Sequence, residues 1–384
     1  MNNQTTPDWD PKSEEVRRDQ RAAYDAMRRR CPVAYSEFLG WSLFRHEDVL
    51  RALLDHETFS NAVSRHLSVP NGMDAPEHTP YRRIIEPYFS AERMAGFEPV
   101  CRELVVKLVR DLPARQEVEF IGEVALQFAA QVQCAFLGWP PSLAGRLAAW
   151  TRKNHAATLT QNREALSEIA REFEELIDDL LETRLRNDTD PATDITAALM
   201  NEKVWGRPLS NEEVSSILRN WTVGEIGTIS ASAGILAHYF AEHPEVEQRL
   251  RTEREIIPPA IDEILRLHGP LVANRRVTTR PVEIGGRKIG AGERISLNWI
   301  SANRDEQVFE DPDAFRLDRD PAKNLLYGAG IHVCPGAPLA RLELRIFVEE
   351  LLSHTTRLST IPEKSATLAV FPASGFASLP LQIQ

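Results

Sequence analysis

Apolar side chains recur every three to four positions through residues 13–30, 46–56, 79–89, 94–112, 120–137, 143–154 and 163–186. That spacing lines one face of an α-helix. Between the first two segments, residues 31–44 alternate apolar and polar positions around Gly40, the pattern of a hairpin. Residues 277–297 are rich in strand-forming side chains broken by Gly285-Gly286 and Gly290-Ala291-Gly292, which predicts a small sheet. The C-terminal stretch carries Pro362, Pro372, Gly375 and Pro380 and reads as hairpins. The expected fold class is mainly α with a minor β region. Residues 1–12 are expected to form a flexible N-terminal arm. Residues 13–384 contain no repeat and no linker, and read as a single domain.

One helix stands apart from the rest. Ser210-Asn211-Glu212-Glu213 is a capping box, and the helix it opens is expected to run to about His243, where Pro244 ends it. Glycines at 224, 227 and 234 interrupt it, each at a cost of ~1 kcal/mol relative to alanine. They need a reason, either close packing against a neighbour or a flat body lying over that face.

Composition excludes some partners. The net charge is -11, the wrong sign for nonspecific nucleic-acid binding. No apolar run is long enough for a membrane span, and residues 1–15 are polar and lack a signal-peptide core. A cytoplasmic protein, with no nucleic acid and no membrane as partner, is the expectation. Cys31, Cys101, Cys134 and Cys334 are widely spaced and form no C-x-x-C pair, which disfavours a zinc site or a disulfide framework.

The strongest chemical signal is Tyr327-Gly328-Ala329-Gly330-Ile331-His332-Val333-Cys334-Pro335-Gly336-Ala337-Pro338-Leu339-Ala340-Arg341. A single thiol sits between glycine-rich turns and a helix start. Glycines let backbone and a flat macrocycle approach closely. The helix N-terminus favours thiolate over thiol, and a thiolate can ligate haem iron. The stretch resembles the cysteine-ligand loop of the cytochrome P450 family, departing only at Tyr327, where the family usually has phenylalanine.

That resemblance covers nearly the whole chain and implies a cytochrome P450-like fold with haem b (iron protoporphyrin IX) as cofactor. It implies Cys334 as the metal ligand, with Tyr327, Gly328, His332 and Gly336 around the cofactor. His78 and Arg82, in His78-Thr79-Pro80-Tyr81-Arg82, match propionate contacts of the family. So does Arg276, with Arg275 as the one-residue alternative. Glu263 and Arg266, with Arg319, match a structural trio supporting the cysteine loop. Gly224-Glu225-Ile226-Gly227-Thr228 is similar to the distal oxygen-binding segment. It implies that Gly224 faces the haem and that Thr228 relays protons. The family's acid before this threonine is replaced by Gly227, leaving space beside the iron, and an acid appears at Glu225 instead. Glu225 either joins the relay or points away as a solvated or ion-paired side chain.

The resemblance further implies a substrate pocket walled by residues 61–74 and 156–160, with Val223, Gly224 and Gly227 from the long helix. Leu271, Val272 and Ala273 follow from the next segment, and Ser374, Gly375 and Phe376 from the C-terminal turn. Phe376 reads equally well as a core residue. These side chains are mostly apolar, so the ligand is expected to be small and apolar. The implied activity is insertion of one oxygen atom of O2 into such a substrate, by hydroxylation or O-demethylation of an aromatic compound. Electrons would come from a separate ferredoxin or flavin/iron–sulfur reductase. Arg83, Arg341 and Arg345 are a candidate docking patch for it, or else scattered solvated charges. The alternatives are a hydrogen-peroxide-driven peroxygenase and a non-catalytic haem-binding sensor.

Overall fold

The computed structural model describes residues 6–64, 66–113 and 117–384. It is 56% helical with a small β region. The largest sheet has five strands, β1 (Val33–Ser36), β2 (Gly40–Leu43), β3 (Phe59–Ser60), β4 (Ala273–Thr278) and β5 (Arg294–Asn298). Their order is β1-β2-β5-β4-β3. The hairpin expected around Gly40 is present, with Val33 opposite Leu43. Gly40 has φ +73°, and a Cβ there would lie 2.6 Å from the Arg294 carbonyl oxygen, so only glycine lets β5 close against this turn.

The helices that frame the site are α1 (His78–Ile85), α2 (Ala91–Val109), α3 (Leu126–Leu137), α4 (Ala144–Thr160), α5 (Arg163–Asn187), α6 (Asn211–Glu242), α7 (Ile257–His268) and α8 (Ala337–His354). The main core forms where α2, α3, α6 and α8 meet, around Cys101, Phe128, Ile226 and Phe347. The Phe128 and Phe347 rings stack with centroids 4.7 Å apart. A second cluster, including Trp41, Phe59, Leu297 and Trp299, packs beside the five-stranded sheet.

α6 has 32 residues, about 48 Å of helix. Its capping box is closed: the Glu213 N–H donates to Ser210 Oγ at 3.2 Å and the Ser210 N–H to Glu213 Oε2 at 2.7 Å. The Arg207 guanidinium on the same carboxylate, with Tyr81 OH, brings Glu213 down to about 2.

Three expectations are corrected. The helix foreseen over 13–30 breaks at Asp19, whose carboxylate accepts the Ala22 N–H at 3.0 Å and starts a second helix. The first five residues and Arg65 lie outside the described residues. The rest of the arm is anchored, because Trp9 is buried against Tyr24 and Phe44 and Asp8 pairs with Arg287 at 3.0 Å. Arg341 and Arg345 are not free charges. Arg341 pairs with Asp262 at 3.1 Å, and Arg345 with Glu98 at 2.8 Å and Glu349 at 3.0 Å. Only Arg83 of that patch stays exposed without a partner among the described residues. No helix among the described residues is long and apolar enough to cross a membrane.

Candidate functional site

The loop from Tyr327 to Gly336 is held by its own backbone. The Cys334 N–H donates to the Tyr327 carbonyl at 2.8 Å, and Gly328 and Gly330 take φ of +75° and +72°. A Cβ on Gly330 would meet the Leu53 carbonyl oxygen at 2.5 Å, so this turn admits only glycine. Arg341 stacks over the Tyr327 ring at 4.4 Å, which gives the tyrosine at this position a cation–π partner. Behind the loop, Glu263 accepts Arg266 Nε at 2.7 Å and Arg319 Nε at 2.9 Å. Arg266 is 1% exposed and also donates to the Asn303 carbonyl at 2.7 Å. The Glu-x-x-Arg pair and Arg319 therefore meet as one buried network.

Cys334 keeps solvent-accessible surface while protein surrounds it, which marks open space beside the sulfur. Burial pushes its thiol up, and hydrogen bonds from the Gly336 and Ala337 N–H groups oppose that. The helix start acts in the expected direction, and desolvation outweighs it. A thiolate here requires a cation, and a coordinated metal supplies one.

Beside this loop the polar groups are unmatched. His78 is 2% exposed, and its Nε2 has no hydrogen-bond partner among the described residues; the same holds for His332 Nε2. The two rings lie 4.5 Å apart, and burial lowers both imidazoles, His332 to about 3. Arg276 is 4% exposed, donates among the described residues only to the Arg275 carbonyl, and is lowered to about 10 by burial. Two imidazole donors and one buried guanidinium without a carboxylate fit the two propionates of a haem. Along β4, Arg275 keeps solvent-accessible surface and Arg276 is buried. Arg82 is more committed than expected, with Nη2 on the Val333 carbonyl at 2.6 Å and Nε on Glu86 at 2.8 Å. It braces the cysteine loop.

The three glycines of α6 have three different reasons. A Cβ on Gly234 would lie 2.4 Å from Ile121 Cδ1, so this one serves packing. Gly224 is exposed, with nothing within 4 Å of its Cβ position, so this face of α6 is open there. A Cβ on Gly227 would lie 3.2 Å from His155 Nε2, so the space expected there is filled by an imidazole from α4. Thr228 Oγ1 donates to the Gly224 carbonyl at 2.6 Å.

Glu225 turns to α8, where its carboxyl meets that of Glu343. Glu343 is fully buried, and neither of its oxygens, nor Glu225 Oε1, has a hydrogen-bond partner among the described residues. Burial raises Glu225 to about 7, with the Glu343 carboxyl acting against it, while burial and then the Glu225 carboxyl raise Glu343 well above the carboxylate range. Glu343 and His155 escaped the sequence reading. Periodicity marks Glu343 as an inward position of α8, yet nothing local names its partner.

The substrate wall is partly redrawn. Val223 is exposed on α6 near Gly224. Val272 is 1% exposed and packs with Trp9, Tyr24 and Ile300, so it belongs to the core. Leu271 is half-buried against the cluster beside the sheet. Phe376 lies over the His238 ring at 4.5 Å and against the main core. Ser374 Oγ donates to the Gly269 carbonyl at 2.5 Å, so this turn is fixed.

The sequence profile described as Cytochrome P450 matches residues 144–380. Cyclomarin C epoxidase from Salinispora arenicola is 32% identical over 336 residues, covering 83% of this chain and 84% of the relative. Erythromycin C-12 hydroxylase from Saccharopolyspora erythraea is 29% identical, covering 87% and 86%. The structure of cytochrome P450 CYP109Q5 from Chondromyces apiculatus superposes with a TM-score of 0.86 at 27% identity, covering 97% of both chains. The chain belongs to the cytochrome P450 family, whose members bind haem b through a cysteine thiolate, and it is a P450 monooxygenase.

Proposed function

We propose that this monooxygenase oxidises a small, largely apolar substrate by hydroxylation or O-demethylation, with electrons from a separate ferredoxin or flavin/iron–sulfur reductase. Cys334 would hold the haem iron through its thiolate, and His78, Arg276 and His332 would hold the propionates. The observation that carries this is the pair of orphaned buried imidazole nitrogens of His78 and His332, with the buried Arg276 guanidinium, beside the loop of a lone thiol. When bound, haem b supplies the activation of dioxygen. One C–H bond, one O2, two electrons and two protons give one C–OH and one water.

The chain's own residues set the conditions. The Gly336 and Ala337 N–H groups hold the sulfur. Gly224 leaves open space on its face of α6, and the exposed Val223 beside it is apolar. The Thr228 hydroxyl, tethered to the Gly224 carbonyl, holds a proton on the distal side. A relative named linalool 8-monooxygenase acts, by its name, on a small apolar alcohol, which supports the substrate class. Hydroxylation at a methoxy carbon would collapse to a phenol and formaldehyde.

The test is an absorbance titration of the ferric protein with methoxy-aromatics, terpenes and fatty acids, followed by turnover under isotopically labelled dioxygen. A saturable spin-state shift and one labelled atom in the product are expected. Product without label from dioxygen, or turnover with peroxide alone at the same rate, would replace this reading with the peroxygenase one.

A further inference from the structure

α4 packs along α6 and brings His155 over Gly227, with Nε2 3.2 Å and Cε1 3.3 Å from where a Cβ would stand. That separation is tighter than ordinary van der Waals contact, so an alanine at 227 already forces the ring to move. The imidazole is half-buried and has no hydrogen-bond partner among the described residues. Burial alone lowers it from its ordinary value, with no charged neighbour contributing. Arg152 and Lys153, just before it on α4, are exposed, and His155 itself keeps part of its surface open to solvent. Gly227 precedes Thr228, at the place where the acid of the family pattern is missing.

We propose that His155 is the proton-shuttle residue of the distal side, a side chain from a different helix standing in for the acid absent at Gly227. It is a positioning residue that acts through Thr228. One ring nitrogen takes a proton from solvent as the other releases its own through a water to the Thr228 oxygen, which gives up its own hydroxyl hydrogen on the side away from His155, so each group ends neutral and no electron moves. A neutral imidazole suits this because it carries a donor and an acceptor on opposite edges. Gly227 is then explained by the ring it accommodates. This rests on the monooxygenase reading above.

The experiment is an exchange of the two positions in the haem-loaded protein: His155→Phe, Gly227→Asp, and His155→Ala with Gly227→Asp. The substrate probe is whichever of 4-methoxytoluene, 7-ethoxycoumarin, linalool and lauric acid gives the largest absorbance shift, with a surrogate ferredoxin and its reductase. For His155→Phe, product per electron pair falls by about tenfold or more, peroxide release rises, and the spectral dissociation constant stays within about twofold. The double variant recovers most of the lost coupling, because an acid again precedes Thr228. Melting temperature reads the contact without turnover: Gly227→Asp alone lowers it, and adding His155→Ala restores it. Unchanged coupling in His155→Phe, no rescue by the double variant, or additive melting shifts would each overturn the proposal. Loss of substrate binding with intact coupling would overturn it as well, making His155 a substrate contact. Absence of product from the wild type, with the melting coupling present, would instead count against the monooxygenase reading.

Discussion

Replacing Glu225 by glutamine removes one acid from a buried pair without changing its shape. In the native protein Glu225 and Glu343 lie side by side, and Glu225 is held at about 7 against an ordinary 4.5. The folded protein therefore keeps a proton that the unfolded chain has released. Stability contributed by that proton is full below pH ~4.5 and is lost as pH rises through about 7. The shift is worth about 3 kcal/mol. In the Glu225→Gln variant the new side chain stays neutral at every pH, and its amide can donate to Glu343, so that loss disappears. Urea unfolding of the haem-loaded wild type and Glu225→Gln at pH 4.5 and pH 8 reads the difference. The variant should gain about 3 kcal/mol on the wild type between the two pH values. Parallel stability–pH profiles would refute the paired-carboxyl reasoning.

Other perturbations separate the roles of the remaining groups. Glu263→Ala leaves Arg266, 1% exposed, and Arg319 without their acid, and should cost roughly 3–5 kcal/mol in chemical unfolding. Arg276→Leu removes an uncompensated buried cation, so the apoprotein should melt higher. Haem transfer to apomyoglobin should speed up roughly tenfold or more, because a charged hydrogen bond is lost. Glu213→Gln should match the wild type near pH 2 and fall behind it above about pH 4.5, since Arg207 holds the native carboxylate at about 2; melting curves across that range check it.

What the sequence carried was local. The turn from Gly328 to Cys334 requires positive φ at fixed places, and glycine marks those places. The capping box at Ser210 and Glu213, and the Glu263–Arg266 spacing, also bring their partners together within one turn of helix. What it did not carry depends on packing between distant segments. The resemblance placed Val272 next to Leu271 as a pocket residue, yet Trp9 folds back and buries it. Spacing put Glu225 one turn from Thr228, and Glu343 on α8 takes its carboxyl elsewhere. The gap at Gly227 was legible as a missing side chain, and its filling by His155 was not. Arg341 and Arg345 read as free charges because Asp262, Glu98 and Glu349 reach them only in the fold or across a helical turn.

The central claim is that the lone thiol of Cys334 and the orphaned nitrogens around it hold haem b. The most direct measurement is the absorbance spectrum of the dithionite-reduced protein under carbon monoxide, for wild type and Cys334→Ala. The account predicts the red-shifted Soret band of a thiolate-ligated haem in the wild type and its absence in the variant. The same red-shifted band in Cys334→Ala, or a wild type that takes up haem without it, would contradict the account.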